Sequence, residues 1–140
     1  MKSAIVAACG AVGTFIAAAL GGWDTAIITL VVFMLIDLAS GWICAVVFKK
    51  SHKTDSGGYN STIGLKGLCK KVMILALVVV ANLLDMQIGA SYIRDGVCIC
   101  FMVNEAMSII ENAGLMGVPI PAWLTKALDI LNEKNQERSA

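Results

Sequence analysis

The sequence predicts an all-α integral membrane protein with about four transmembrane helices, three being the alternative, and a short amphipathic C-terminal cytoplasmic helix. Of its 140 residues, 58% are hydrophobic and 15% are charged, whereas soluble domains are about 45–50% apolar and about 25% charged. Four apolar stretches approach the ~20 residues that a helix needs to cross ~30 Å of hydrocarbon. None shows the repeated alternation of a membrane β-barrel, so we expect helices to satisfy the backbone hydrogen bonds.

The four apolar stretches are residues 4–22, 25–48, 72–93 and 96–113. Lysines crowd the connection between the second and the third stretch, and the positive-inside rule therefore places residues 49–71 and both termini in the cytoplasm. These lysines either snorkel from a solvated loop or bind membrane lipids, including anionic ones. They are Lys49, Lys50, Lys53, Lys66, Lys70 and Lys71.

The first apolar stretch is rich in alanine and glycine, which permit close approach of helices in lipid. We therefore expect contacts between copies in a homo-oligomer at Ala7, Ala11, Gly13 and Ala17, with Gly41 as a small residue of the second stretch. The same stretch also imitates a signal peptide with an A-x-A cleavage site. The sequence leaves open whether it is retained or cleaved.

The predicted bundle comprises residues 1–121, and a cytoplasmic amphipathic helix and tail comprise residues 122–140. Pro119 and Pro121 interrupt the preceding helix, and leucines then recur at positions 124, 128 and 131. Within the bundle, the polar loop before Ser61 or Thr62 is expected to lead into a short capped helix. That helix runs along the inner membrane surface into the third span.

Polar and acidic side chains interrupt the second, third and fourth apolar stretches. An Asp at the centre of a membrane helix costs about 2.5–3.5 kcal/mol on insertion scales, so these groups must face protein or water. They either hydrogen-bond across a tight bundle or line a hydrated opening in an oligomer. The residues are Asp37, Ser40, Asn82, Asp85, Asn104, Glu105, Ser108, Glu111 and Asn112.

The sequence carries no sign of catalysis. Its five cysteines form no CxxC pair, its one histidine, His52, has no second histidine nearby, and no phosphate-binding or Ser/His/acid set is present. We therefore expect no enzymatic activity, no cofactor, no metal site and no nucleic-acid partner.

Two segments, residues 36–85 and 104–131, resemble the toxin-secretion and phage-lysis holin family. They contain an intramembrane Asp before a small residue and Gly, a basic loop leading into G-x-x-G-x-x-K-K, a second intramembrane Asp, and N-E-x-x-S-I-x-E-N before a G-x-P-x-P turn. The matching positions are Asp37, Gly41, Gly64, Gly67, Lys70, Lys71, Asp85, Glu105, Ser108, Glu111, Asn112, Gly117, Pro119 and Pro121.

This resemblance implies a protein of the bacterial cytoplasmic membrane that accumulates harmlessly, oligomerises and then opens lesions. A muralytic endolysin or a large toxin would leave through them, and no substrate would be turned over. A small ion-coupled transporter or channel subunit is the alternative function, because intramembrane acids also bind protons and cations. A membrane scaffold, in which the acids only pair helices, is a third.

Overall fold

The computed structural model describes residues 1–139, and in that part of the chain it contains five helices and no strand, which confirms the all-α prediction. The helices are α1 (Lys2–Ala19), α2 (Thr25–Val46), α3 (Ser61–Ile88), α4 (Ile93–Leu115) and α5 (Ala122–Ser139). The side chains of Leu128 and Leu131 lie outside the described part. The amphipathic and cytoplasmic character of α5 therefore stays a prediction.

Three helices, α1, α2 and α3, are long and apolar enough to cross a membrane. Helix α4, whose sequence contains Arg94, Asp95, Glu105 and Glu111, is not one of them. The prediction of four spans is therefore not confirmed, and length and composition support three.

Helix α3 is longer than the sequence indicated. Asn60 caps it by accepting hydrogen bonds from the backbone N–H groups of Thr62 and Ile63 at 2.9 and 3.3 Å. The predicted short helix is thus the first part of one continuous helix of 28 residues, about 42 Å long at 1.5 Å per residue. It ends at Gly89, which adopts the left-handed conformation with φ 67° that suits a helix C-terminus.

Helix α4 lies against both α2 and α3, while α2 and α3 barely touch each other. Asp24, which caps α2, contacts Arg94 at the start of α4, and Asp37 contacts Asn112 near the end of α4. Helices α2 and α4 therefore run parallel, and α3 runs antiparallel to both. Their shared apolar core consists of Leu20, Ile27, Leu30, Met34, Val78 and Cys98.

Helix α1 contains no buried residue. It meets the other helices at its C-terminal end, where the Asn82 side chain donates a hydrogen bond to the Ala19 carbonyl at 3.1 Å. Ala7, Ala11 and Gly13 are exposed, and their role between copies stays a prediction. Gly41, by contrast, is half-buried and packs within the chain, since an added Cβ would be 3.6 Å from the Asn112 amide nitrogen.

The turn between α1 and α2 requires glycine at position 21. Gly21 has φ 85°, and an added Cβ would lie 2.6 Å from Asn82 Oδ1 and 2.8 Å from Arg94 Nε. Gly22 has φ 100°, but a Cβ there would meet nothing within 4 Å. Gly22→Ala therefore adds backbone strain alone, and Gly21→Ala adds the same strain together with a clash.

We expect Gly22→Ala to lower the free energy of unfolding by about 1 kcal/mol and Gly21→Ala by about 2–3 kcal/mol. Unfolding of the purified variants in one detergent measures both values. Equal losses of unfolding free energy in the two variants would show that close packing of Asn82 and Arg94 around Gly21 does not contribute to stability.

Candidate functional site

Three charged side chains from three helices meet inside the bundle. Lys71 of α3 donates one hydrogen bond to Asp37 Oδ2 of α2 at 2.7 Å and another to Glu105 Oε2 of α4. Each of the three residues is only 7% exposed. A buried ammonium placed between two carboxylates is an ion-pair cluster, and we call these three residues the Lys71 cluster.

Two neutral side chains complete the coordination of Asp37. Asn112 donates hydrogen bonds to Asp37 Oδ1 at 3.3 Å and to Ser40 Oγ at 3.0 Å, and Ser40 donates to the Asp37 carbonyl at 3.1 Å. Both carboxylate oxygens of Asp37 therefore have donors. Across the described residues, no buried side-chain nitrogen or oxygen lacks a partner, so one chain alone can satisfy its interior polar groups.

The Lys71 cluster also connects helices that hardly pack. Because α2 and α3 barely touch, the hydrogen bond from Lys71 to Asp37 is their main polar connection. Removing one partner of a buried ion pair costs about 3–5 kcal/mol, since the other charge is left without a partner. The relative position of α2 and α3 thus depends on this cluster.

A cleft of about 690 Å³ separates α2 from the first half of α3, and Asp37, Lys71 and Glu105 line its floor. Its walls combine apolar side chains with small residues that leave the space open. The apolar residues are Leu38, Trp42, Ile63, Leu65, Leu68 and Ile74. The cleft is thus an apolar groove with a charged floor.

A second polar cluster closes the opposite end of the bundle. Asp85 accepts hydrogen bonds from the backbone N–H groups of Ile93 and Arg94 at 3.1 and 2.9 Å, and so caps α4. The Arg94 guanidinium donates to Asp24 at 2.7 and 3.0 Å, to Asp95 at 3.0 Å and to the Leu20 carbonyl at 2.6 Å. This cluster fixes the α1–α2 turn to the start of α4.

The hydrogen bonds from Arg94 lower the pKa of Asp24 from 3.8 to about 2, because they favour the ionised carboxylate. Their contribution to stability is therefore fully present above the ordinary pKa and is lost as the pH falls from about 3.8 towards 2. The contribution is small, since the Asp24 side chain is 48% exposed.

The structure divides the nine polar residues singled out in the sequence into groups. Asp37, Ser40, Glu105 and Asn112 join the Lys71 cluster, whereas Asn82 and Asp85 lie at the Arg94 end. Ser108 lines the cleft. Asn104 and Glu111 are exposed, and Glu111 lies 3.9 Å from His52 in the loop. A pore-lining role for these residues stays a prediction.

The assignment of Lys71 to the membrane surface is wrong, because this lysine is buried between two acids. The other five lysines of that group are exposed. One signal in the sequence could have separated Lys71 from them: it lies seven residues before Val78 and fourteen before Asp85, and therefore on the same buried face of α3. Arg94 is not singled out in the sequence, although the structure gives it contacts with Asp24, Asp95 and the Leu20 carbonyl.

Comparisons with known proteins agree with the resemblance found in the sequence. Residues 14–133 match the Bacteriophage holin family. An uncharacterised protein of Clostridium perfringens is 38% identical over 125 residues, which cover 88% of this chain and 87% of that protein. An uncharacterised 14.9 kDa protein in the nagH 3' region of Clostridium perfringens is 37% identical over 124 residues, or 87% of this chain and 88% of that protein.

A probable holin of Bacillus phage phi105 is 28% identical over 111 residues, which cover 79% of this chain and 76% of the phage protein. No solved structure matches the chain. Because the family match extends over most of the sequence, this chain belongs to the bacteriophage holin family.

Proposed function

We propose that the chain accumulates in the bacterial cytoplasmic membrane, assembles with its own copies and forms lesions. A muralytic endolysin or a large toxin leaves through them, which leads to lysis or protein export. Family membership and three apolar helices support this class of function. The observation that carries the mechanism is the Lys71 cluster, because it buries three charges inside one chain.

The closed cluster accounts for harmless accumulation. In lipid, an unpaired charge is expensive and a paired, hydrogen-bonded one is tolerated. Each chain can therefore enter the membrane with its interior charges satisfied, before it meets another copy. The exposed small residues of α1 are free within the chain to contact a second copy, where packing drives association of helices in lipid.

Opening requires α2 and α3 to separate. The two helices make few direct contacts with each other, so the bond between Lys71 and Asp37 is the main polar contact that their separation breaks. Water in a growing lesion would solvate both groups and reduce that cost. An assembly large enough to admit water therefore favours the open arrangement, which gives an abrupt transition after slow accumulation.

We also infer that α4 crosses the membrane beside α2 despite its polar composition. The two helices are parallel and remain in contact from Arg94 and Asp24 to Asn112 and Asp37. Glu105 and Asn112 face the protein interior, where they are satisfied. Four crossings then return the C-terminus to the side of the N-terminus, and the exposed lysines assign that side to the cytoplasm.

The topology can be tested with reporters. Green fluorescent protein fused to the C-terminus should fluoresce, and alkaline phosphatase at the same site should be inactive, because both ends of the chain are cytoplasmic. Fusions after Tyr92, which follows α3, should show the reverse and serve as the control. An active phosphatase at the C-terminus would show that α4 does not cross.

Lys71→Met should lower the free energy of unfolding in detergent by about 3–5 kcal/mol, because it leaves two buried carboxylates without their ammonium. Lys70→Met is the matched control, since Lys70 is adjacent but exposed, and it should change stability by no more than about 0.5 kcal/mol. Similar values for the two variants would refute a structural role for the cluster.

Asp37→Asn should advance the onset of lysis in bacteria that also produce a cytoplasmic muralytic enzyme. It removes the negative charge on α2 that attracts Lys71 of α3, which weakens a charge-assisted interaction of about 1.5–3 kcal/mol, and it leaves Lys71 paired with Glu105. Asp55→Asn makes the same chemical change in the exposed loop and should keep the normal schedule. Culture density and enzyme release are followed together, with protein levels matched by immunoblot.

An unchanged or delayed onset for Asp37→Asn would contradict this mechanism. Liposomes separate it from the transporter alternative: release of an entrapped folded protein above a threshold density of the chain supports lesions. Graded ion flux with complete retention of that protein would instead identify a transporter or channel.

A further inference from the structure

We propose that the cleft between α2 and α3 binds an anionic phospholipid, with its headgroup at Lys53 and Lys70 and an acyl chain along the apolar walls. This binding site is independent of whether the protein forms lesions. Three properties of the cleft support it: its lateral access, its charge distribution and its unfilled space.

The cleft opens sideways to the medium around the helices. Trp42, Leu65 and Leu68 line it and are 54%, 61% and 49% exposed. Helices α2 and α3, between which it lies, are both apolar enough to cross a membrane. Apolar walls do not hold water well, whereas a polar site does. In a bilayer, an acyl chain is therefore the molecule that gains most by entering.

The charge distribution selects the headgroup. Lys53 and Lys70 line the cleft, are exposed, and pair with no acid within 4 Å in the described part of the chain. Lys71 differs, since two carboxylates already engage it. The rim thus carries two uncompensated positive charges, and the floor presents acids that repel an anion. A phosphate is held at the rim, and a neutral chain occupies the interior.

The two lysines of the rim can both extend towards the loop end of the cleft. Lys53 belongs to the loop before α3, and Lys70 projects from the first half of that helix. A helical Cα–Cβ bond tilts towards the helix N-terminus, so the Lys70 side chain extends towards the same end as the loop. A long lysine side chain can reach an interfacial phosphate while its stem remains among apolar groups.

Gly67 provides a way to fill the cleft without disturbing the fold. It lines the cleft, and an added Cβ would meet nothing within 4 Å. Leucine at this position would therefore project into the space that we assign to the acyl chain. It would also favour the helix, since leucine forms helices better than glycine does.

Trp42 is a built-in probe of occupancy. With Trp23→Phe and Trp123→Phe, it is the single tryptophan left in the chain. The protein is reconstituted in phosphatidylcholine vesicles that contain a fixed fraction of lipid with brominated acyl chains, either phosphatidylglycerol or phosphatidylcholine. Bromine quenches tryptophan fluorescence on contact. The ratio of the quenching by brominated phosphatidylglycerol to that by brominated phosphatidylcholine therefore measures the preference for the anionic lipid at the cleft.

We expect a preference of about fivefold or more for phosphatidylglycerol, because the attraction of a single lysine to an anionic lipid surface already has this size. Lys53→Gln with Lys70→Gln should abolish the preference. Lys50→Gln with Lys66→Gln removes the same charge from exposed lysines outside the cleft and should preserve it. Gly67→Leu should also abolish it while leaving both lysines in place.

Equal effects of the two lysine pairs would overturn the proposal, because they would show a diffuse surface attraction. An unchanged preference in Gly67→Leu would overturn it as well. Quenching of Trp42 by either brominated lipid that appears only after the protein is diluted in the membrane would also overturn the proposal. It would show that a second copy of the chain fills the cleft at higher density. This test measures lipid binding and not lysis. The lipid site can therefore fail while lesion formation stands, and the reverse.

Discussion

The pairing of one buried lysine with two buried acids is the interaction on which the other features of this bundle depend. Helices α2 and α3 both pack on α4 but barely on each other, so Lys71 determines how far apart they lie. In water, apolar burial could close such a gap. In lipid that driving force is absent, and specific polar contacts and close packing fix helix positions instead. The cluster therefore keeps α2 and α3 linked while the cleft between them stays open.

A second layer of polar contacts, around Arg94, makes the two ends of the bundle different. The Arg94 contacts lie at the far end of the bundle, and Lys71 and Asp85 are fourteen residues apart on α3, or about 21 Å along the helix axis. The apolar core, including Ile27, Leu30 and Val78, lies between the two layers. One layer consists of an ion pair between buried Arg94 and exposed Asp24, together with backbone caps, and it holds the turns. The other consists of buried charges, whose stability depends strongly on exclusion of water.

The helices and the interior acids could be predicted from the sequence because apolar length and the cost of a charge in lipid are local properties. The partners could not, since Lys71 belongs to a run of lysines and its neighbour Lys70 is exposed. The heptad spacing of Lys71 from Val78 and Asp85 distinguishes the two by face, but only the tertiary packing of α4 supplies the acid that pairs with Lys71 beside Asp37. Asp85 was likewise singled out as a membrane acid, whereas its carboxylate caps α4 across a turn. Helix α4 is the opposite case. It is not counted among the apolar spans, although its polar residues Glu105 and Asn112 face the protein interior.

In the proposed mechanism, the cleft and the cluster together form an element with two arrangements, closed and open. A packed core resists gradual deformation, but α2 and α3 make few direct contacts with each other and meet mainly through α4. Their separation exchanges one bond, from Lys71 to Asp37, for hydration of both groups. A ligand in the cleft can bias this equilibrium only through a difference in its affinity for the two arrangements. A lipid held between the closed helices would lose its apolar walls as they part, so it would oppose opening. The composition of the inner leaflet would then set the density of copies at which lesions form.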